Sequence, residues 1–201
     1  MREPLARALL LERLTIGYNV AEGVIAVTAG LAAGLVALVG FGADSGIEVA
    51  AAVVVLRRLL AQRADGEVDQ RAERRALRFV ALTFFALAAY VLVEGTRDLL
   101  TDARPDTSPV GLGLLAVSVV AMPWLARAKR RTGEALGSRL VLADAAETRL
   151  CAWLSLSTFT GLLAFTVLGW SWLDAVAGFV IAAFAVAEGR EAWEGELVEE
   201  D

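Results

Sequence analysis

The chain has 201 residues, 57% of them hydrophobic, with a mean hydropathy of +0.60 and a formal net charge of −5. A soluble domain of this length is about half apolar and spreads its charges along the chain; here they gather in clusters separated by apolar stretches of about twenty residues, the length that crosses a bilayer as a helix, so a soluble domain is excluded. The negative balance, partly from the tail Glu191 to Asp201, argues against a nucleic-acid partner; the single cysteine, Cys151, excludes an internal disulfide and a multi-cysteine zinc site, and the absence of histidine excludes imidazole ligation and histidine catalysis.

The pattern predicts an all-α polytopic membrane protein, a bundle of six transmembrane helices. Residues 1–13 read as a cytoplasmic N-terminus, 14–189 as the transmembrane domain and 190–201 as a short acidic cytoplasmic tail with no further cytoplasmic domain. The first span is predicted over Leu14–Gly34 and the second over Val36–Leu59, after a turn through Ala32, Ala33 and Gly34. The third covers Leu77–Gly95, the fourth Val110–Ala128, the fifth Leu140–Gly169 and the sixth Trp172–Gly189. No small-residue cleavage site marks the first apolar run as a signal peptide. Each span must be a helix, because a backbone in lipid has to satisfy its own hydrogen bonds.

Basic residues set the orientation. Arg2, Arg7 and Arg13 precede the first span. Arg57, Arg58, Arg63, Arg71, Arg74, Arg75 and Arg78 flank the link between spans two and three. Arg127, Lys129, Arg130, Arg131 and Arg139 flank the link between spans four and five. The opposite side carries Arg97 and Arg104, diluted by Asp98, Asp102 and Asp106. Both termini are thus predicted to be cytoplasmic in a multi-pass protein of the cell membrane, with Trp170 and Trp172 at the outer interface. The basic clusters read as topology signals rather than as ligand sites.

Ionisable residues within spans need a reason, since a charge at the bilayer centre costs about 2.5–3.5 kcal/mol on the insertion scale. Asp44 and Glu48 lie in span two, Glu147, Arg149 and Cys151 in span five, and Asn19 and Glu22 in span one. Residues four apart share a helix face, so Asp44 stacks on Glu48 and Glu147 on Cys151. The two spans run antiparallel, which predicts that the pairs meet near the midplane, Glu48 level with Glu147 and Asp44 level with Cys151. Three carboxylates and a thiol suit a divalent cation, and the thiolate biases the set toward zinc or a similar borderline metal. The plainer reading is interhelical hydrogen bonding by the same side chains. Arg149, turned about 200° from Glu147 and Cys151, is predicted to pair with Glu22 at a similar depth, with Asp144 as the next candidate.

These segments carry a resemblance. Ala43-Asp44-Ser45-Gly46-Ile47-Glu48 resembles the D-S-x-x-D motif of the cation diffusion facilitators, and Ala143-Asp144-Ala145-Ala146-Glu147-Thr148-Arg149-Leu150-Cys151 resembles their A-D-x-x-H-x-x-x-D motif. Trp172-Leu173-Asp174-Ala175 is similar to the family's aromatic–Asp–Ala opening of span six. The resemblance covers Leu11 to Trp193. It implies export of a divalent cation, zinc foremost, in exchange for protons, by a homodimer with no resident cofactor and no enzymatic activity. It implies a metal held by Asp44, Glu48, Glu147 and Cys151, with Asp144 not a ligand. The sequence departs from the family in placing Glu147 where His or Asp is usual and Cys151 where Asp is usual. No soluble C-terminal domain is expected to follow span six, and the link between spans two and three carries no histidine. The alternative function is a non-transporting scaffold or accessory subunit that keeps the fold. Gly40-Phe41-Gly42-Ala43-Asp44 also resembles the G-x-G-D motif of intramembrane aspartyl proteases, but the acid is displaced by one residue and no partner Y-D motif occurs in any span.

Overall fold

The computed structural model describes residues 2–63, 70–101, 106–170 and 172–194. Asp102, Arg104 and the acidic tail beyond Glu194 lie outside the described residues, as does the side chain of Asp174. Six helices follow in order: α1 (Arg2–Ala33), α2 (Val36–Arg63), α3 (Gln70–Leu100), α4 (Pro109–Leu136), α5 (Arg139–Leu168) and α6 (Trp172–Glu194). The fold is an all-α membrane bundle. By length and composition α1, α2, α4 and α5 each contain a segment able to cross a membrane, and α6 has a shorter apolar run, Ala175–Ala187.

The helix ends follow local chemistry. Ser108 caps α4 by accepting the Gly111 N–H at 3.1 Å, with Pro109 at the first helical position, where its missing N–H costs nothing. Gly137, at φ 62°, ends α4, and Ser138 caps α5. Gly34, at φ 68°, makes the tight reversal between α1 and α2 in a left-handed conformation that a Cβ would strain.

Several helices run past the predicted spans. α1 begins at Arg2 rather than Leu14, α2 continues to Arg63, α3 begins at Gln70 and α4 reaches Leu136 rather than Ala128. Apolar length marks where lipid ends, whereas the Arg, Leu, Ala, Glu and Lys residues that flank the spans favour continued helix in water as well. The first thirteen residues are thus largely the opening turns of α1.

Packing divides the helices into pairs: α1 on α2, α3 on α6 and α4 on α5. The α1–α2 approach is close enough to demand small residues. A Cβ on Gly42 would meet Val27 N at 2.8 Å, and one on Gly30 would meet Val39 N at the same distance. The end of the bundle where α1 turns into α2 is filled by Leu35, Leu38, Phe41, Leu115, Leu162 and Phe165. Large apolar side chains such as Val24, Leu31, Val120 and Val167 are exposed on the outside, while many of the polar ones are buried. That inversion suits a lipid solvent.

Candidate functional site

The buried polar residues form stripes on four helices. On α1 they are Glu12, Thr15, Asn19 and Glu22; on α5 they are Asp144, Thr148, Cys151, Ser155 and Thr158. Steps of three and four residues keep each stripe on one face. Asp44, Ser45 and Glu48 on α2, and Ser118, Lys129 and Thr132 on α4, supply the rest. Thr15, Thr132, Thr148 and Ser155 return their hydroxyl protons to carbonyls one turn earlier in their own helices, at 2.8–3.1 Å. They make the interior polar without requiring partners across it.

Toward the end where α1 begins and α4 ends, Lys129 is fully buried. Its Nζ lies 2.5 Å from Asp144 Oδ2 and 3.4 Å from Glu12 Oε2. The sequence predicts Lys129 in the basic link between spans four and five and Glu12 in a cytoplasmic N-terminus. Instead α4 carries Lys129 onto the buried face shared with Met122, Leu125 and Ala126, and leaves Arg127, Arg130 and Arg131 exposed. One lysine between two carboxylates leaves a formal excess of one negative charge when both are ionised.

Nearer the middle, Glu22 accepts hydrogen bonds from Ser118 Oγ and from Ser45 Oγ, the latter at 3.0 Å. Tyr18 Oη lies 2.9 Å from Ser118 Oγ and extends the chain. The predicted Glu22–Arg149 pair is therefore corrected. Glu22 is buried and held by hydroxyls from α2 and α4, whereas Arg149 is exposed on the outer flank of α5 and has no ion pair among the described residues. Arg149 does turn away from the Cys151 face, as the helical rotation predicts, but the face it occupies is exposed.

Beside this network, Cys151 Sγ donates toward Asp44 Oδ2 at 3.7 Å, which brings α2 and α5 together at the predicted level. Glu48, one turn along α2, is buried, and neither carboxylate oxygen has a hydrogen-bond partner among the described residues. Thr148, Cys151 and Lys129 are near enough to act on its charge. Glu147 is half-buried at the edge of the stripe rather than in it. Asp44, Glu48 and Cys151 thus share the buried polar interior, with Glu147 on its flank. In this conformation no three acidic or cysteine side chains among the described residues converge as a ready-made cage for an ion. Asn19, fully buried on α1, also has both polar atoms without hydrogen-bond partners among the described residues.

A helical bundle that is apolar outside, with carboxylates, an amide and a thiol facing one another inside, defines the class of polytopic membrane proteins that handle charged cargo. The pattern of the cation efflux transmembrane domain matches residues 13–194, and the chain belongs to that family. No curated protein sequence matches it. Membership supports transport of metal cations in general, and its members are transporters rather than enzymes.

Proposed function

We propose that the protein exports a divalent transition-metal cation, zinc foremost, from the cytoplasm across the cell membrane in exchange for protons. It works as a homodimer with both termini cytoplasmic. Asp44, Glu48 and Cys151 form the core of the metal site, and Glu147 swings in from the flank to complete it. The observation that carries this reading is the Glu48 carboxylate. A buried ionised carboxylate with no donor is costly, and a divalent cation between it and the Asp44–Cys151 contact removes that cost. Metal binding requires deprotonated ligands, so metal and protons compete for the same atoms, which suffices for exchange.

On this reading the site is closed toward both ends. Leu35, Leu38 and Phe41 with Leu162 and Phe165 fill the outer end, and Lys129 ties α4 to α1 and α5 at the other. Alternating access requires one barrier to part while the other holds. The rival reading, a scaffold with the same fold, draws on Lys129, because a lysine fixed between two acids would hold the bundle closed permanently.

Flux into proteoliposomes separates the two. Zinc, manganese, iron, cobalt and cadmium are each offered with and without a proton gradient. Metal-dependent flux that dissipates the gradient is expected for zinc. Absence of flux for all five, with intact reconstituted protein, would favour the scaffold.

A further inference from the structure

Outside the bundle, α4 and α5 enclose a groove of about 570 Å³, distinct from the polar interior. Its wall is mixed in one direction only. Arg127, Arg130 and Arg149 stand at one end, and Val119, Trp153 and Leu156 line the other. All three arginines are exposed. Arg130 Nε has Glu134 Oε1 at 3.0 Å along its own helix, a surface pair of little strength. Arg127 and Arg149 have no ion pair or side-chain hydrogen bond among the described residues.

Depth makes this arrangement informative. From Pro109 to Lys129, α4 spans about 30 Å at the helical rise, close to the thickness of a hydrocarbon core. With the outer edge of the apolar slab placed at Pro109, the Lys129–Asp144 contact falls at its inner edge. Arg149 is five residues beyond Asp144 on α5, about 7 Å back into the slab, and Arg127 lies near the edge itself. A guanidinium facing lipid below the headgroups must reach outward or find an anion. Two arginines from different helices, without ion pairs among the described residues, converge on one groove whose other lining, Arg130 aside, is apolar.

We propose that this groove is a binding site for an anionic phospholipid. The phosphate sits in the fork of Arg127 and Arg149, where planar guanidinium groups suit bidentate contact with phosphate oxygens. One acyl chain runs along Val119 and Leu156, with the Trp153 ring beside it. Pro123 helps to shape the groove: it cannot donate to the Val119 carbonyl one turn back, and both residues line the wall. The charge of the cradle selects the headgroup, as basic pockets between transmembrane helices do for anionic lipids. The bound lipid bridges α4, which carries Lys129, to α5, which carries Cys151.

The test is lipid retention, measured by native mass spectrometry on full-length protein released from mixed vesicles of phosphatidylglycerol and phosphatidylcholine with identical chains. Wild type is expected to retain phosphatidylglycerol several-fold over phosphatidylcholine. The Arg127→Gln/Arg149→Gln double variant is expected to lose that preference, and Arg127→Lys/Arg149→Lys to keep part of it. Val119→Trp fills the apolar end and leaves the arginines, and should lower retention of both lipids. Equal retention of the two lipids by wild type would overturn the proposal, as would a wild-type preference in the glutamine pair. A changed oligomeric mass in these variants with unchanged lipid retention would assign the groove to a second copy of the chain, and would overturn it too. None of these readouts depends on metal flux.

Discussion

The two buried charge layers of this bundle solve one problem in different ways. In the layer near the start of α1, the protein supplies its own cation: Lys129 is wedged between Glu12 and Asp144. In the central layer, Glu22 is stabilised by two hydroxyls, Asp44 meets the Cys151 thiol, and the Glu48 carboxylate has no hydrogen-bond partner among the described residues. A lysine tethered to α4 cannot leave, so the first layer is suited to holding helices together. A carboxylate set short of positive charge is suited to a cation that comes and goes. On the proposed function, buried acids of α1 and α5 serve closure in one layer, and those of α2 serve cargo in the other.

The largest expected effect tests the central layer. Asp44→Asn keeps the shape of the side chain and removes its charge, so metal flux should fall to background while the protein still assembles in the membrane. Proteoliposome flux at matched protein content measures it, and wild-type flux in that variant would discard the proposed ligand set. The second effect tests the other layer through stability. Lys129→Met leaves two buried carboxylates unpaired, a loss of about 3–5 kcal/mol for breaking a buried pair. Adding Glu12→Gln and Asp144→Asn should restore much of the thermal midpoint in detergent. If Lys129→Met alone were as stable as wild type, Lys129 would not be the tie between α4, α1 and α5.

The contrast also explains what the sequence made legible. Asp44 and Glu48 stand out because each interrupts an apolar run and they share one face, whereas Cys151 stands out only through its four-residue step from Glu147. The Asp44–Cys151 contact was readable from depth and antiparallel direction alone. Lys129 was hidden by its neighbours, because a run of Arg127, Lys129, Arg130 and Arg131 reads as a topology signal when taken as composition. Helical spacing held the missing information. Continuing the face of Leu115, Ser118, Met122 and Leu125 by one more turn arrives at Lys129, not at the arginines. Glu12 continues the α1 face of Thr15, Asn19 and Glu22 in the same way. The hydrophobic length of a span says where lipid stops, but it does not say where the helix or its buried face stops. The Glu22 pairing fails for a related reason: the helical turn carries Arg149 away from Cys151, but onto an exposed face rather than toward α1.

That correction can itself be tested, with a smaller effect. Ser118→Ala removes one of the two hydroxyls on Glu22 and also the partner of Tyr18. Leaving a buried acceptor short of a donor costs about 1–3 kcal/mol, which should appear as a lowered thermal midpoint in detergent. Arg149→Gln in the same phospholipid-free detergent should change the midpoint little, because Arg149 is exposed and outside the Glu22 network; surface changes of this kind typically stay within about 0.5 kcal/mol. A loss for Arg149→Gln equal to that for Glu22→Gln, with the double variant no worse than either, would reinstate the pair.

The smallest effect concerns preference rather than rate, and it bears on why the central layer holds a thiol. Cys151 Sγ is the one soft donor in a set of oxygens, and it faces Asp44 across the α2–α5 contact. Soft thiolates favour zinc and cadmium, whereas carboxylates suit manganese and other hard ions. Cys151→Asp replaces the thiol by a side chain of similar length that can be charged, so transport should persist. Its order of preference should move from cadmium and zinc toward manganese and cobalt. Cys151→Ser separates charge from softness: it supplies a neutral oxygen, and should weaken uptake of zinc and cadmium without promoting manganese. Competition between paired metals in proteoliposomes reads the order directly. If wild type, Cys151→Asp and Cys151→Ser rank the metals identically, the thiol is not a ligand. Its contact with Asp44 would then be a packing contact between α2 and α5, and the central layer would hold its cation through carboxylates alone.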